Sequence, residues 1–406
     1  MALIVVARSP ASAGEDGITP YYLGGGVLFG HDSNLFRVPD ALAQADNYFA
    51  LDFNAGFDQP IWRQRWRADL TLRATRYATR SDLDNLGGGA FLQWDGSTEG
   101  SWSASLSLRA NQSLATFVAG GDIPVQSRNI ERIGQVQALV RYGMTSIWSL
   151  SGTVEFRGLT YSAPELASQE NTQQVVSMRA LWSPSAALQV GFGPRFTHAR
   201  YPYAVSDGAG GTLADSFDRR DLDLSATWTA SGATNITARL SASRETHDVL
   251  SRLDVQGTTG SLSAVWQPTG KLTLSLAASR DTGSESSFAN LGTAQQPLIA
   301  VGDSSQVTAR FLVSASYQAT AKVVAGITLL DERRRFETRR SIEDVALPGD
   351  FERDRTRSAS ALLRYEATRT TTLECRVARI HRSVDSGSVE PYDVKQGQCQ
   401  AQVMLR

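Results

Sequence analysis

Apolar and polar residues alternate along most of this 406-residue chain. Trp102–Ala110, Trp148–Phe156 and Leu222–Trp228 show the alternation without interruption. A period of two residues is typical of strands whose two faces meet different surroundings, and the 3.6-residue period of a helix is almost absent. The pattern predicts an all-β chain built from two-faced strands.

The connections between these segments are alternately short and long. Asp58–Pro60 and Asp95-Gly96 are short, whereas Ser113–Gln126 and Pro202–Ser216 are long and polar. Bacterial outer-membrane barrels have an even number of antiparallel strands, short periplasmic turns and long external loops, and the segments here number about eighteen. The sequence predicts a single closed antiparallel transmembrane β-barrel with both termini in the periplasm. The predicted strands lie near 19–31, 47–57, 62–77, 85–94, 100–112, 128–142, 147–159, 172–182, 187–201, 218–229, 235–246, 253–266, 271–281, 304–317, 322–337, 352–366, 371–382 and 392–405.

The tryptophans support a membrane barrel independently. All eight lie beside short turns: Trp62, Trp66, Trp94, Trp102, Trp148, Trp182, Trp228 and Trp266. Each has the parity of the apolar face of its strand, which predicts an aromatic girdle at one membrane–water boundary. A soluble β-sandwich would bury its tryptophans in the core instead.

The first thirteen residues resemble the remains of an export signal. Met1–Ala7 is a short apolar run, and Ala11-Ser12-Ala13 fits the small-residue pattern of a cleavage site. We therefore expect residues 1–13 to be a signal-peptide remnant and 14–406 to form the barrel. A disordered N-terminal tail is the alternative.

Composition excludes several functional classes. Lysine and arginine total 40 and aspartate and glutamate total 41, a balance that argues against a nucleic-acid-binding chain. Four histidines and two cysteines leave little material for a metal site, and we expect no cofactor. No apolar run approaches the roughly 18–20 residues that a transmembrane helix needs.

The alternation assigns many charged residues to the inward face. The arginines and acids placed there are Arg63, Arg65, Arg67, Asp69, Arg73, Arg109, Arg141, Glu155, Arg157, Arg179, Arg195, Asp221, Asp223, Arg239, Arg310, Arg364, Glu374 and Arg376. Arginine outnumbers acid in this set, so we expect a hydrated conduit whose guanidinium groups bind hydroxyl, carboxylate or other anionic groups of passing molecules. Arginine–carboxylate ladders that merely brace the wall are the alternative. Arg63–Arg73 is the best-defined candidate patch.

A second group of charges flanks one long loop, in Asp331–Arg335 and Glu352–Arg357. We expect these segments to project above the membrane as a paired, self-neutralised strand extension. Contact of the outward arginines with lipopolysaccharide phosphate is the alternative, and outer-membrane lipid is an expected partner in either case.

The two cysteines lie on the last two predicted strands. Cys375 and Cys399 are symmetric in number about Gly387 and share the outward parity. They could therefore face each other and form a disulfide in the oxidising periplasm. A slip in strand register would prevent the bond.

Catalytic residues are not evident. His31, His198, His247 and His381 are scattered at strand ends without a visible partner. The segment His31–Asn34 is locally suggestive of a catalytic group, but a turn capped by Asx and hydroxyl side chains explains it better. We expect the protein not to be an enzyme.

The first predicted loop carries a family resemblance. Gly30–Asp40, which follows an aromatic and glycine-rich strand, resembles the opening of EpsL-type proteins, a β-barrel porin family found with exopolysaccharide biosynthesis clusters. Its sequence-specific part is Asp32–Pro39, with Asp32, Ser33, Asn34, Leu35, Phe36 and Arg37 as the motif. The resemblance implies export of a secreted polysaccharide together with periplasmic export and copolymerase proteins. We expect the motif itself to fold the loop. Barrel chains commonly end in an aromatic residue, whereas this chain ends Leu405-Arg406.

Three functions follow as hypotheses. The first is passive export of an extracellular polysaccharide across the outer membrane, which requires a wide and open lumen. The second is a general or anion-preferring porin for small solutes, which should have a lumen narrowed by loops. The third is a structural or receptor barrel occluded by its loops.

Overall fold

The computed structural model describes residues 20–115, 126–206, 211–250, 254–282, 307–337, 341–342, 345–346, 351–385 and 390–405. The predicted signal remnant 1–13 lies outside these ranges, as does Gly387. Within the described ranges, no helix is long and apolar enough to span a membrane.

Twenty strands follow one another in the described ranges. They are β1 Tyr21–Asp32, β2 Asp46–Ile61, β3 Gln64–Tyr77, β4 Asn85–Ser97, β5 Trp102–Leu114, β6 Ile130–Tyr142, β7 Trp148–Tyr161, β8 Asn171–Ser185, β9 Leu188–Ser206, β10 Thr212–Ser231, β11 Thr234–His247, β12 Val255–Thr269, β13 Leu272–Asp281, β14 Val307–Gln318, β15 Val323–Glu337, β16 Ser341–Ile342, β17 Val345–Ala346, β18 Phe351–Glu366, β19 Thr371–Val384 and β20 Tyr392–Leu405. Three short 3-10 helices, Asp40–Leu42, Ser81–Leu83 and Pro164–Gln169, lie in the connections.

Eighteen of these strands form one closed antiparallel sheet. Each pairs with its neighbours in the chain, and β1 pairs with both β2 and β20, with Leu23 opposite Leu405 and Val27 opposite Ala401. The remaining two, β16 and β17, pair only with each other in the connection between β15 and β18. The predicted single closed barrel of about eighteen strands is confirmed.

The two faces of the wall differ as the alternation predicts. One parity of each strand carries exposed large apolar residues, for example Leu222 and Leu224 on β10 or Ile327 and Leu329 on β15. We call this face outward, and the opposite, polar face inward. Two-faced strands of this kind can close into a barrel without leaving an edge to pair with another chain.

The two ends of the barrel also differ. At the end with short turns, aromatic rings pair across neighbouring strands, with Trp66 and Trp94 at 6.3 Å between ring centroids and Trp102 and Tyr142 at 4.8 Å. The other end carries the longer connections. We call the two ends the short-turn end and the long-loop end. The tryptophans therefore gather at the boundary where the sequence analysis puts them.

Three of the connections named in the sequence analysis are wrong. Asp95-Gly96 lies inside β4, which continues to Ser97. The turn expected at Asp58–Pro60 lies at Trp62-Arg63 instead, because β2 continues to Ile61 and pairs there with Gln64. Trp62 adopts φ 57° in that turn and is fully exposed. The long loop expected at Pro202–Ser216 is strand over 202–206 and 212–216, since β9 and β10 pair within this segment as far as Ser206 opposite Thr212.

Candidate functional site: the polar face of the lumen

The predicted wall residues take the inward parity, with one exception. In the rows across the sheet, Asp69 lies opposite Phe91 and Phe91 opposite Arg109, while the neighbouring positions carry the outward apolar residues. The exception is Arg63, which the structure puts at the tip of a turn, where its guanidinium donates to Glu99 at 2.7 Å. The prediction of Arg63 as a wall residue is therefore wrong.

Four residues near the short-turn end form what we call the short-turn patch: Asp58, Arg65, Arg67 and Asp95. Arg65 donates to both carboxylate oxygens of Asp58, at 2.7 and 2.5 Å, and Arg67 donates to Asp95 at 2.8 Å. The side chains of Arg65 and Arg67 are 50% and 37% exposed. These guanidinium groups are neutralised but accessible, so a solute can compete for their remaining donors.

Farther along β3 the charged groups are more enclosed. Arg73 forms an ion pair with the buried Asp52, which also accepts a hydrogen bond from Gln400 at 2.9 Å. Asp69 accepts a hydrogen bond from the hydroxyl of Tyr22. The candidate run Arg63–Arg73 is therefore not one uniform patch, and its accessible part is the short-turn patch.

Three arginines of the wall lack a carboxylate partner among the described residues. We call Arg109, Arg141 and Arg179, on β5, β6 and β8, the basic wall. Arg109 lies over the ring of Phe91 at 5.0 Å, and Arg141 donates to the hydroxyl of Ser149 at 3.0 Å. Uncompensated guanidinium groups beside neutral partners are the positions of this lumen best suited to hold a carboxylate or phosphate.

A different arrangement lines β9 to β11. We call Arg195, Arg219, Asp221, Asp223 and Glu245 the buried network. Arg195 lies 3.2 Å from Asp221 and 3.1 Å from Asp223, and Arg219 lies 3.0 Å from Asp221 and 3.6 Å from Glu245.

Hydroxyl groups complete the buried network. Arg219 donates to Ser243 at 3.0 Å and to Thr259 at 3.2 Å, and Ser241 donates to Asp223 at 2.6 Å. The side chain of Arg219 is 0% exposed. Buried charges persist only when they are paired and hydrogen-bonded, and this set meets that requirement.

Similar ladders continue over β14 to β19. Arg310 pairs with Glu332, and the fully buried Asp354 lies between Arg334 and Arg382. Nearer the short-turn end, Arg364 donates to Glu374 at 2.7 Å. Sequence analysis missed Arg219, Arg334 and Arg382, although each has the parity of an assigned inward residue on its own or a paired strand.

The expected excess of inward arginine over acid is wrong. Strand register adds acidic partners that the sequence analysis did not assign to this face, and they are Asp52, Asp58, Asp95, Glu131, Glu245, Asp281, Glu332 and Asp354. Most of these acidic residues lie near the ends of the predicted strands, where the alternation of apolar and polar residues is hard to follow. The inward face is close to neutral, with local excess positive charge at the basic wall.

The burial of inward side chains differs between the two halves of the lumen. In the long-loop half, inward residues of most strands are buried, and we call the following set the buried ring: Leu28, Asp52, Glu131, Arg157, Ser177, Arg195, Asp221, Ser243, Asp281, Thr308, Asp354, Arg382 and Val394. In the short-turn half, inward serines such as Ser105, Ser263 and Ser314 are half-buried. The accessible polar wall is therefore concentrated in the short-turn half.

The motif Asp32–Arg37 builds the first loop. Arg37 donates to both carboxylate oxygens of Asp32, at 2.9 and 2.8 Å. The side-chain amide of Asn34 donates to the carbonyl of Val38 at 2.6 Å and accepts from its N–H at 3.2 Å. Arg37 adopts φ 58°, a left-handed conformation that this network of hydrogen bonds holds in place.

The same motif ties the loop to the end of the chain. The N–H of Ser33 donates to the carbonyl of Lys395 at 3.0 Å, and Gln396 donates to Asp32 at 2.8 Å. Leu35, Phe36 and Val38 form a buried cluster with Leu83 of the next long connection. The motif therefore packs against two neighbouring segments beside the closure of β1 with β20.

The two cysteines face outward on β19 and β20. Cys375 lies directly opposite Cys399, and the two form a disulfide with a Cα–Cα distance of 4.1 Å. The bond spans the strand pair next to the closure. Leu405, which stands near the chain end where an aromatic residue is common, faces outward opposite Leu23.

In the described part of the chain, each of the four histidines contacts an asparagine or an acidic side chain. His31 contacts Asn47 at 2.8 Å on the outward face, and His247 lies 2.7 Å from Asp215 and 3.2 Å from Glu245 at the long-loop end. Among the residues that the structure describes, no group of three or more histidine, cysteine or acidic side chains could hold a metal ion.

Comparison with known proteins identifies other barrels, with low sequence identity and low TM-scores. No protein-family model and no curated protein sequence matches this chain. Solved structures that resemble it include Acinetobacter baumannii OccAB4, with 11% sequence identity, a TM-score of 0.47 and coverage of 95% of this chain and 98% of that one. Pseudomonas aeruginosa OccK2 (OpdF), solved in complex with glucuronate, has 10% identity and a TM-score of 0.47, with coverage of 95% and 98%.

A transporter also resembles this chain. The FrpB iron transporter from Neisseria meningitidis has 9% identity and a TM-score of 0.46, with coverage of 89% of this chain and 62% of that one. At these values the likeness does not extend beyond barrel architecture, and the function of this chain must be argued from its own residues.

Proposed function

We propose that this protein is an outer-membrane channel for passive diffusion of small polar solutes, with both termini in the periplasm. The outward face supports the membrane location, because exposed apolar side chains cover it and aromatic pairs lie at its short-turn boundary. A closed barrel is one of the two structures that satisfy every backbone hydrogen bond inside a bilayer.

The observation that carries the proposal is the buried ring. Many inward residues are half-buried in the short-turn half and buried in the long-loop half, and this is the pattern expected of a lumen that narrows toward the long-loop end. Small solutes can pass such a constriction more easily than a continuous polymer can. The loop-narrowed lumen expected of a solute porin therefore fits better than the wide lumen expected of a polymer exporter.

The chemistry of the accessible wall favours solutes that carry carboxylate or hydroxyl groups. The basic wall offers guanidinium groups without a described carboxylate partner, and the short-turn patch offers partly neutralised ones. Charge-assisted hydrogen bonds to such groups are strong enough to select an anion. Because the whole inward face is close to neutral, we expect the anion preference to be modest.

The test is permeation through the purified barrel in lipid vesicles. Swelling rates should fall steeply as neutral sugars grow from monosaccharide to oligosaccharide. A sugar acid should enter faster than the neutral sugar of equal size, and the triple variant Arg109→Gln, Arg141→Gln, Arg179→Gln should remove that advantage. Arg76→Gln, which changes an exposed outward arginine, is the matched control and should keep it. Vesicles that do not swell with any solute would overturn the proposal.

Polysaccharide export stays a prediction of the family resemblance. The contacts of Asp32–Arg37 described above lie within this chain and fold its first loop, so they do not by themselves support a site for a polymer or for a periplasmic export protein. An in-frame deletion tests export, with polysaccharide measured separately in the periplasm and outside the cell. Retained periplasmic polymer would support export, and normal surface polymer would contradict it.

A further inference from the structure

A cluster of cations lies on the outward face near the long-loop end. We call it the outer arginine patch and define it as Arg333 on β15, Arg355 and Arg357 on β18, Arg379 on β19 and Lys395 on β20. The side chains of Arg333, Arg357 and Arg379 are 62%, 59% and 68% exposed. None of the five has the parity that faces the lumen, so the channel proposed above does not use them.

The patch begins where the outward apolar surface ends. On β15 the outward residue before Asp331 and Arg333 is Leu329, and on β19 the outward residue before Arg379 is Val377. Leu329 and Val377 are both exposed. The cations therefore sit at the level where an acyl-chain region would give way to lipid head groups.

Strand register brings like charges face to face within the patch. Arg333 lies directly opposite Arg355. Directly opposed like charges destabilise a strand pair. An arrangement of this kind is stabilised when anions from outside the chain neutralise it.

The patch has too few carboxylates of its own. Asp331 is shared, at 2.5 Å from Arg355, 3.4 Å from Arg333 and 3.7 Å from Arg357. The second carboxylate, Asp393, lies 3.6 Å from Arg379 and 3.1 Å from His381. Among the side chains that the structure describes, two carboxylates thus contact the cations of the patch, which leaves about three of its five positive charges without an acidic partner there.

The inward face of the same strands shows the opposite arrangement. There Arg334 and Arg382 both contact the buried Asp354, and Arg310 pairs with Glu332. The expected self-neutralised extension therefore describes the inward face of these strands. It does not describe the outward face, where arginine faces arginine.

We propose that the outer arginine patch binds the phosphate groups of lipopolysaccharide in the outer leaflet of the membrane. Guanidinium groups match phosphate oxygens in two-point geometry, and clusters of basic residues beside an apolar surface bind anionic lipid head groups. The acyl chains of the same lipid would lie along the outward apolar residues that precede the patch. This inference rests on the proposed outer-membrane location.

The experiment uses the full barrel in nanodiscs that contain a small fraction of lipid A, either diphosphorylated or enzymatically dephosphorylated. Native mass spectrometry counts the lipid A molecules that stay bound. The wild-type barrel should retain the diphosphorylated form, and the triple variant Arg333→Gln, Arg357→Gln, Arg379→Gln should bind it roughly tenfold or more weakly because three charge-assisted contacts are lost. Arg355 is left unchanged so that its pair with Asp331 survives.

Matched controls separate this result from general charge effects. The double variant Arg76→Gln, Arg132→Gln changes two outward cations near the long-loop end on other strands and should bind diphosphorylated lipid A as the wild type does. The triple variant Arg333→Lys, Arg357→Lys, Arg379→Lys changes the same three positions but keeps their charge. It should retain most of the binding. Equal retention of the phosphorylated and dephosphorylated lipids by the wild type would overturn the proposal.

Two further readouts identify which idea has failed. Inorganic phosphate at millimolar concentration should not displace lipid A, and complete displacement would overturn the assignment of the patch to a lipid. Single-channel current is recorded from the same preparations. Lipid binding without current would refute the channel alone, and current with no phosphate-dependent lipid binding would refute the patch alone.

Discussion

The short-turn patch and the buried network contain the same chemistry in different surroundings. In both, arginine pairs with aspartate across neighbouring strands of one wall. The side chain of Arg65 in the first is 50% exposed, whereas that of Arg219 in the second is 0% exposed. The two regions therefore differ in how far neighbouring atoms cover their ion pairs.

This difference assigns different roles to the two regions. Exposed ion pairs are screened by water and contribute little to stability, so their donors remain available to a passing solute. Buried charges have lost their hydration, and each depends on its partners to remain charged. The arginines of the buried network therefore hold the long-loop half of the wall together, and those of the short-turn patch are the ones that a solute would meet in the proposed channel.

The largest expected effect comes from removing one charge of the buried network. Arg219→Ala removes a cation from beside Asp221 and Glu245, so that Asp221 keeps only its contact with Arg195 among the arginines of the buried network. Breaking a buried pair in this way costs about 3–5 kcal/mol. Urea unfolding of the barrel in lipid vesicles measures the loss. Arg67→Ala is the matched control and should cost less than about 1 kcal/mol, because its ion pair is exposed. Equal losses would contradict the contrast between the two regions.

The disulfide beside the barrel closure should have the next largest effect. Cys375 and Cys399 enclose a sequence separation of 24 residues. Reduction, or the double variant Cys375→Ser, Cys399→Ser, should lower the free energy of unfolding by about 2–4 kcal/mol. The effect should add to that of Arg219→Ala, since the two sites lie on different parts of the wall. A strongly non-additive double change would show that the closure and the buried network act as one unit.

Charge reversal in the short-turn patch should change ion selectivity. A unit charge in a water-like medium interacts with an ion at 4 Å by about 1 kcal/mol. Arg65→Glu with Arg67→Glu should therefore lower the anion-to-cation permeability ratio roughly two- to fivefold, as measured from the reversal potential in a salt gradient. Arg76→Glu, on the outward face, should leave the ratio unchanged. Unchanged selectivity in the double variant would mean that the patch does not line the conducting path.

The smallest expected effect is a pH dependence at the long-loop end. His247 lies beyond the outward cations Arg220 and Arg244, outside the apolar band. Burial lowers its pKa, but hydrogen bonds and charges from Glu245 and Asp215 raise it by more, so the pKa of His247 lies above the ordinary 6.5. Its charged form stabilises the fold fully below pH 6.5, and this contribution is lost as pH rises through the raised value.

Hydrogen exchange can follow this loss locally. Asp215 accepts from the N–H groups of Val249 and Leu250 at 2.9 and 3.3 Å, so both amides should exchange faster as pH rises, after correction for intrinsic rates. His247→Gln should abolish the extra pH dependence while leaving the barrel folded. The same pH slope in the variant would show that another group titrates there.

The sequence alone predicts the architecture well because a strand wall has a simple period. Alternation identifies eighteen strands and their faces, and the tryptophans identify the short-turn boundary. The prediction of a long loop failed where β9 and β10 continue into a polar segment. Ser206 still pairs with Thr212, and Tyr201 packs on Phe217 at 6.2 Å, so tertiary contacts override the polar composition of Pro202–Ser216.

The candidate site was predicted in part, for a related reason. Parity correctly assigns Arg65, Arg109 and Arg195 to the inward face, but it contains no information about how deeply a side chain is covered. Arg65 and Arg195 therefore look alike in the sequence and differ in the structure. The turn lies at Trp62-Arg63 and not at Asp58–Pro60, and this displacement moves Arg63 out of the wall. It depends on the pairing of Ile61 with Gln64, which local sequence does not specify.

The asymmetry of the lumen can be tested most directly with neutral polymers of graded size added to one side of a single channel. A polymer that enters the conducting path lowers the current, so the largest polymer that does so reports the width at that end. The proposed narrowing of the lumen predicts that larger polymers lower the current from the short-turn side than from the long-loop side. An equal limit from both sides, or a barrel that never conducts, would contradict it.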